Sequence, residues 1–246
     1  MNAALRRSLR TYYAPGRGPA LDAFHARFLA PGELGFDIGA HVGDRTASFR
    51  RLGAQALAVE PQPRLARLLR LLFHRDPGVA LARTLVGAAP GEAVLRLNAA
   101  NPTVATASDA FVAAAAGAPG WDDQRWDGAL TLPLTTLDRL AEAHGTPDFI
   151  KIDVEGFEAA VLAGLSRPVR SLSFEFTLIQ RDVALDALAT AAALGPYRFN
   201  ACLGEGMRFA MPEAVGAEAM ADWLRGLPME ANSGDVYASL EAERLR

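Results

Sequence analysis

The most restrictive feature of this sequence is the alternation of short apolar stretches with amphipathic ones along most of its length. Stretches such as 34–38, 148–154 and 169–176 are short and largely apolar, as expected of strands that are buried in a sheet. Between such stretches lie segments with helical spacing, of which 63–76 is the clearest, with leucines on one face and arginines opposite. Strands that alternate with helices form a mostly parallel sheet covered on both faces. The sequence therefore predicts an α/β fold.

The composition narrows the class of protein further. Half of the 246 residues are hydrophobic, 22% are charged, and the formal net charge is −3 without any basic block. These values are typical of a globular chain and argue against a nucleic-acid partner. The N-terminal arginines precede no apolar run, and no stretch approaches the roughly 20 apolar residues of a membrane span, so a cytoplasmic protein without membrane contact is expected. The single cysteine, Cys202, excludes an intrachain disulfide.

We expect one domain over residues 33–246, preceded by a helical extension over residues 1–32. Within the domain, residues 99–130 lack strong periodicity and are rich in Ala, Asn, Pro, Gly and Asp. A structureless loop of that length is uncommon, so this segment is predicted to be an excursion or lid on the substrate side, or to be partly helical. Its Trp121 and Trp126 could stack on a sugar or could anchor the excursion to the domain, and both interpretations stay open.

A strand-to-helix junction at 33–49, with the sequence ELGFDIGAHVGDRTASF, is the first candidate binding site. Gly39 can adopt a backbone conformation that other residues avoid, and it would let a ligand approach the main chain. Gly43 either lets the helix pack close to the strand or leaves room for the ligand. Asp37 could accept a hydrogen bond from an ammonium group, and Glu60 at the end of the next strand suits a ribose diol. The alternative is that the two glycines merely make a tight turn.

The spacing of the glycines favours one nucleotide cofactor over another. The dinucleotide fingerprint has glycines at positions one, three and six, whereas here Ala40, His41 and Val42 separate Gly39 from Gly43. An acidic residue before the first glycine would repel a pyrophosphate but would attract the cationic amino-acid end of S-adenosylmethionine. We therefore expect S-adenosylmethionine as the cofactor rather than NAD.

A second candidate site lies at KIDVEG, where Lys151, Asp153 and Glu155 alternate with apolar residues and would share one face of a strand. Charges at the end of an apolar strand are costly unless they are paired or hydrated, which predicts a position at the carboxyl edge of the sheet. Glu175, near the end of the next strand, would join them if the two strands are neighbours. The alternatives are a structural ion pair between Lys151 and Asp153, and a helix-dipole role for Glu155.

These side chains have the chemistry that methyl transfer to a hydroxyl group needs. An alcohol is a poor nucleophile until its proton is removed, so a carboxylate or histidine within hydrogen-bond reach is required. Asp153 is the first candidate for this base and Glu175 the second, while Lys151 would stabilise the carboxylate or the emerging alkoxide and Glu155 completes the set. Carboxylates at one edge could also hold a divalent ion, but no decisive ligand pattern is present and no metal site is predicted.

Taken together, the motifs resemble one known family. FDIGAHVGDRT, AVEPQP, TLDRL and above all PDFIKIDVEGFEAAVLAGL are similar to the FkbM family of S-adenosylmethionine-dependent methyltransferases, over roughly residues 33–240. The resemblance implies the class I methyltransferase fold, a Rossmann-like three-layer sandwich whose seven-stranded, mostly parallel sheet has an antiparallel last strand. It also implies a hydroxyl group of a sugar or natural product as the methyl acceptor.

The resemblance further implies which residues hold the cofactor. Asp37, Gly39 and Gly43 would line its methionine part, and Glu60 would hold the ribose. Neighbouring residues of the same loops complete the predicted set: Ala40, His41, Thr46 and Pro61. His41 departs from the family, which more often has Asn, and its backbone would matter most.

Two other functions stay open from the sequence. An NAD-dependent oxidoreductase could use the same sheet, although the glycine spacing argues against it. A non-catalytic domain that keeps the cofactor pocket would have no need of the charged KIDVEG motif. The predicted function is therefore S-adenosylmethionine-dependent O-methylation of a sugar, glycan or natural product, with a small-molecule or glycan acceptor as the partner and the oligomeric state left open.

Overall fold

The computed structural model describes residues 3–246, in which strands and helices alternate. The strands are β1 (Leu34–Ile38), β2 (Gln55–Val59), β3 (Val79–Ala82), β4 (Leu85–Val86), β5 (Gly91–Leu97), β6 (Gly128–Thr135), β7 (Phe149–Ile152), β8 (Ser171–Thr177), β9 (Arg198–Leu203) and β10 (Ser233–Ser239). The helices are α1 (Ala3–Tyr12), α2 (Arg17–His25), α3 (Asp44–Arg51), α4 (Pro63–Leu72), α5 (Asp109–Ala115), α6 (Leu137–His144), α7 (Glu158–Leu162), α8 (Arg181–Leu194) and α9 (Ala217–Gly226).

The main sheet has seven strands in the order β3-β2-β1-β7-β8-β10-β9. Neighbouring strands are parallel except that β10 runs antiparallel to both β8 and β9. The strand order changes direction at β1, so the carboxyl ends of β1 and β7 meet at the switch point where ligands bind in such sheets. The predicted α/β fold, with a mostly parallel seven-stranded sheet and an antiparallel last strand, is confirmed.

Several helix ends follow capping signals in the sequence. The hydroxyl of Thr136 accepts a hydrogen bond from the backbone N–H of Arg139 at 3.2 Å, and Gly145 follows the last turn of α6 with a φ of 104°. Helix α7 begins at Glu158, although the sequence EGFEAAVLAGL over residues 155–165 predicts a helix from residue 155. Glu155 and Gly156 both have positive φ angles, of 56° and 85°, which a right-handed helix cannot accommodate.

The segment 99–130 and its flanks differ most from the prediction. A separate three-stranded sheet, in the order β4-β6-β5, accompanies the main sheet. The sequence pattern over residues 79–87 predicts one strand, but the segment is divided between the two sheets, because β3 belongs to the first and β4 to the second. The sequence pattern did not indicate β6, since Pro133 disfavours a strand interior. Pro133 is tolerated because β4 pairs with β6 only at Leu134 and Thr135.

The N-terminal helices cover one face of the main sheet. Phe28, just after α2, is fully buried, and its ring centroid lies 4.7 Å from that of Phe149 and 5.4 Å from that of Tyr237. This aromatic stack fastens the extension to β7 and β10. Met1 and Asn2 of the predicted extension lie outside the described residues. Within residues 3–246, every helix is too short or too polar to cross a bilayer.

Candidate active site

The loop between β1 and α3 has an unusual backbone conformation. Gly39, His41 and Gly43 all have positive φ angles, of 85°, 48° and 79°. A Cβ atom on Gly39 would lie 1.8 Å from the carbonyl oxygen of Asp153, so the close approach of the segment after β7 already requires glycine there. The positive φ is the special backbone conformation expected of Gly39, and the contact with Asp153 is a reason for glycine in addition to the expected approach of a ligand.

Gly43 and Asp37 stabilise this loop, the first through close packing and the second through buried hydrogen bonds. A Cβ atom on Gly43 would lie 2.6 Å from the side chain of Leu69 and 2.9 Å from that of Phe73, so the glycine lets these side chains pack against the loop. Buried Asp37 accepts hydrogen bonds from the backbone N–H (3.0 Å) and the hydroxyl (2.5 Å) of Thr46. Burial raises the pKa of Asp37 to about 6. Asp37, Gly43 and Thr46 shape the loop and are not among the residues that line the cavity beside it.

The cavity beside this loop, here called the first cavity, lies at the carboxyl ends of β1 and β2. Five of the predicted cofactor residues line it: Gly39, Ala40, His41, Glu60 and Pro61. Glu60 is buried, and its carboxylate accepts hydrogen bonds from the backbone N–H groups of His41 (2.9 Å) and Gln62 (2.8 Å). Each carboxylate oxygen keeps a second lone pair for a ligand. Burial raises the pKa of Glu60 to about 8.

Other walls of the first cavity come from residues that the sequence did not single out. An apolar side suits a planar base and is formed by Leu85, Val86, Leu95, Pro102, Ala105 and Phe157. No sequence signal marks these residues, because apolar side chains look alike whether they face a core or a cavity. Tyr12 and Arg45 line it as well. Its free volume is about 70 Å³, against ~300–1,000 Å³ for typical ligand sites, so the walls must move to admit a nucleoside.

Four charged side chains form a closed ring of ion pairs next to the first cavity, here called the ion-pair ring. Arg17 and Arg45 each pair with both Asp44 and Glu205, at N···O distances from 2.7 to 3.5 Å. The guanidinium groups of Arg17 and Arg45 lie 5.2 and 5.9 Å from the ring centroid of Tyr12. The ion-pair ring therefore joins the N-terminal extension, α3 and the loop after β9 into one cover.

Lys151 is the centre of the second predicted site. Its side chain is only 2% exposed, and Nζ lies 3.0 Å from Asp153 Oδ2 and 2.9 Å from Asp235 Oδ1. Burial alone would lower the pKa of Lys151, but the two carboxylates outweigh burial and raise it. Burial likewise acts to raise the pKa of Asp153, while Lys151 and Arg45 hold it below its usual range. Asp235 was missed, although its place on the antiparallel last strand, opposite Glu175, could have revealed it.

Three carboxylates meet at the same edge of the sheet. One oxygen from each of Asp153, Glu155 and Glu175 lies within 4.8 Å of the others, since β7 and β8 are parallel neighbours. Burial and the neighbouring carboxylates raise the pKa of Glu155 and of Glu175 well above their ordinary values. Glu158, also missed, accepts a hydrogen bond from the backbone N–H of Val154 (3.0 Å) and steadies the turn. The structure thus brings the four predicted charged residues together: Lys151, Asp153, Glu155 and Glu175.

Asp153 lines two neighbouring cavities. Its side chain is 28% exposed, and it lines the first cavity. It also lines a smaller space, the acidic cavity, whose other charged residues are Arg45, Glu175, Glu205 and Asp235. A ligand in the first cavity and a second molecule in the acidic cavity would both reach this carboxylate.

The tryptophans of the excursion pack against its own core. Phe111 is fully buried, with ring centroids 5.2 Å from that of Trp121 and 6.1 Å from that of Trp126. The indole N–H of Trp126 donates a hydrogen bond to the carbonyl of Val104 at 2.8 Å. These contacts favour the anchoring interpretation. Trp121 also lines a separate cavity of about 460 Å³ between the excursion and the turn after β8.

Comparisons with known proteins give one family match and several similar solved structures. A family model described as "Methyltransferase FkbM domain" matches residues 37–191, and no curated protein matches the sequence. Similar solved structures include a TehB-like SAM-dependent methyltransferase from Corynebacterium glutamicum, with 13% identity, 96% of each chain covered and a TM-score of 0.47. A putative O-methyltransferase from Klebsiella pneumoniae has 14% identity, with 98% of this chain and 91% of that chain covered and a TM-score of 0.45. An O-methyltransferase from Bacillus cereus in complex with SAH has 13% identity, 98% and 92% coverage and a TM-score of 0.44.

The family match carries the assignment, because it spans more than half of the chain and includes both motifs at the carboxyl edge of the sheet. The order and directions of the strands are those that the class I methyltransferase fold requires. The chain belongs to the FkbM family of methyltransferases, and its cofactor is S-adenosylmethionine.

Proposed function

We propose that this methyltransferase transfers the methyl group of S-adenosylmethionine to a hydroxyl oxygen of a sugar, glycan or natural product, and that Asp153 accepts the hydroxyl proton. The observation that carries the proposal is the position of Asp153 between the first cavity and the acidic cavity. A carboxylate in this position can contact an acceptor on one side while the methyl donor lies on the other. In-line transfer depends on such an arrangement of donor and acceptor.

The protonation state of Asp153 suits this role. Its low pKa keeps the carboxylate ionised at neutral pH, so it can hold a hydroxyl group as a hydrogen-bond donor. The hydroxyl proton becomes strongly acidic only as the new carbon–oxygen bond forms, so a weakly basic carboxylate is able to receive it. Lys151 fixes the orientation of Asp153 through their 3.0 Å ion pair.

The donor would occupy the first cavity. Glu60 would accept hydrogen bonds from the ribose hydroxyls, and the loop from Gly39 to His41 would contact the methionine part. The apolar side of the cavity, which contains Val86 and Phe157, suits the adenine ring. Asp37 and Thr46 would act indirectly, by holding the loop in place.

An amine is the second candidate acceptor: its ammonium form would bind in the acidic cavity, and it would lose a proton to one of the carboxylates there before its nitrogen attacks the methyl group. Four acidic side chains line the acidic cavity, and the one basic group among its lining residues, Arg45, is already engaged in the ion-pair ring. Such a surface attracts positive charge. Amines therefore belong in the same acceptor screen as alcohols.

The decisive experiment compares Asp153→Asn with Asp235→Asn. Single-turnover transfer of a labelled methyl group is measured at saturating S-adenosylmethionine, with panels of simple glycosides, phenols and amines as acceptors. Asp153→Asn should lower the rate by roughly 10²–10⁴-fold, the usual contribution of a positioned base, while affinity for S-adenosylhomocysteine stays near wild type. Asp235→Asn breaks the other ion pair of Lys151 and removes a carboxylate that lines only the acidic cavity, not the first cavity, so its rate should fall far less.

The alternatives give different results. If both variants lose rate in proportion to lost folded protein in melting curves, Asp153 is a structural partner of Lys151. A rate that collapses together with affinity for S-adenosylhomocysteine would make Asp153 a cofactor ligand. Methyl transfer to amines alone would replace the O-methylation proposal.

A further inference from the structure

We propose that Asp153, Glu155 and Glu175, together with the amide oxygen of Gln180, form a binding site for a hard divalent cation. The sequence offered no ligand pattern because these residues come from the ends of two strands and from the turn after β8. The inference deepens the proposed function, and its catalytic consequence rests on that function.

The distances between the carboxylates fit a single ion. One oxygen from each of the three carboxylates lies within 4.8 Å of the other two. Two oxygens on opposite sides of one ion are at most about 4.6–5.2 Å apart for Ca²⁺ and about 4.0–4.2 Å apart for Mg²⁺, twice the usual metal–oxygen distance. Three oxygens that lie within this limit of one another are close enough to share a single divalent ion.

Two of the three carboxylates, those of Glu155 and Glu175, have no basic side chain beside them in the part of the chain that the structure describes. Within residues 3–246, no basic side chain lies within 4.0 Å of a carboxylate oxygen of Glu155 or Glu175, and Lys151 is shared by Asp153 and Asp235. Oε2 of Glu175 is buried and accepts no hydrogen bond from any described group. Carboxylates in such surroundings are normally paired with a cation or coordinate a metal.

Gln180 supplies a second observation that is independent of the acidic residues. Its side chain is buried, with the residue 6% exposed, and Oε1 has no hydrogen-bond partner in the described part of the chain. Gln180 lies in the turn after β8 and its side chain extends to Gly156. A Cβ atom placed on Gly156 would lie only 2.1 Å from Gln180 Oε1. An unpaired, buried oxygen thus lies against Gly156, the residue that follows Glu155. Amide oxygens are ligands that hard cations accept, and a buried oxygen without a partner is costly.

A cation at this site would lie beside Asp153, where the acceptor hydroxyl is proposed to bind. When bound, such an ion lowers the pKa of an oxygen that it contacts. The chain's own part is to hold the ion with residues from both strand ends, while Asp153 keeps its ion pair with Lys151.

Calorimetric titration of the chelator-treated protein tests the site. CaCl₂, MgCl₂ and MnCl₂ are titrated separately, with and without S-adenosylhomocysteine. We expect one ion per chain. Glu175→Gln and Glu155→Gln should each weaken binding by about 10–100-fold or more, and Gln180→Leu by a smaller factor. Glu205→Gln is the matched control, because Glu205 lines the acidic cavity outside the cluster, and its effect should stay within about threefold.

The outcomes separate this inference from the proposed function. The Glu→Gln variants remove repulsive charges, so without ions they should melt at or above the wild-type temperature, and lost binding then reports a lost ligand. Absence of binding for all three ions at millimolar concentration overturns the inference, as does equal weakening by Glu205→Gln and Glu175→Gln. If S-adenosylhomocysteine binds while the cations do not, only the metal site is wrong. If the cations bind while S-adenosylhomocysteine does not, the proposed function is wrong.

Discussion

At Gly39 the backbone of one loop meets the backbone of another with no room for a side chain. A methyl group there would lie 1.8 Å from the Asp153 carbonyl oxygen, and the φ of 85° disfavours any L-residue. Gly39→Ala should therefore lower the free energy of unfolding by about 1–3 kcal/mol or more, as measured by urea denaturation. Gly91→Ala is the control, because a Cβ atom at Gly91 meets nothing within 4 Å. Equal stability of the two variants would contradict this account.

Glu60 should make the stability of the unliganded protein depend on pH. Its pKa is about 8 in the folded chain, against an ordinary value of 4.5. Between these values the native state binds more protons at this residue than the unfolded state does, so the free energy of unfolding falls as pH rises. Glu60→Gln stays neutral, so its stability relative to wild type should increase from about pH 5 to pH 8 in thermal melts.

The same residue should link cofactor binding to pH. Ribose hydroxyls donate hydrogen bonds best to the ionised carboxylate, so wild-type affinity for S-adenosylhomocysteine should rise toward pH 8 and then level off, while the affinity of Glu60→Gln should stay flat. A stability difference between the two proteins that is constant across the pH series would show that Glu60 is already ionised when buried.

Among the elements, those with local signals at both ends were predictable. Helix α6 shows this well, because Thr136 and Gly145 mark its two ends in the sequence and in the structure. The start of α7 was not predictable, because the positive φ of Glu155 depends on a turn that Glu158 stabilises through hydrogen bonds to backbone N–H groups.

Pairing between segments that are distant in the sequence accounts for the other differences between the predicted and the observed structure. The small sheet joins Gly91 to Leu134, and neither residue carries a signal for the other. The contact of Lys151 with Asp235 similarly depends on the order of β7, β8 and β10 in the sheet. The sequence therefore indicated which charged residues lie at the carboxyl edge, but it could not indicate which of them touch.

On the scale of the whole molecule, the site is assembled from almost the full length of the chain. The family match covers 37–191, which contains the loop after β1 and the segment after β7. Tyr12, Arg17 and Glu205 lie outside this range, and they form much of the cover through the ion-pair ring and the aromatic contacts of Tyr12. Tyr12 also packs edge-on against His41, with ring centroids 5.2 Å apart. The matched region thus supplies the carboxyl edge, and the flanking segments enclose it.

This cover has a consequence for the timing of turnover. Because Tyr12 and Arg45 line the first cavity, whose free volume is about 70 Å³, we expect the cover to move when a nucleoside enters or leaves. Release of S-adenosylhomocysteine would then limit the rate of turnover. The first methyl transfer on each chain would be faster than the later steady state, which appears as an initial burst of product. Tyr12→Ala should shorten the residence time of S-adenosylhomocysteine in stopped-flow displacement and should diminish that initial burst. Arg51→Ala, which breaks an ion pair with Asp22 away from the cavity, should leave both unchanged, and an equal effect of the two substitutions would mean that the cover does not set the pace.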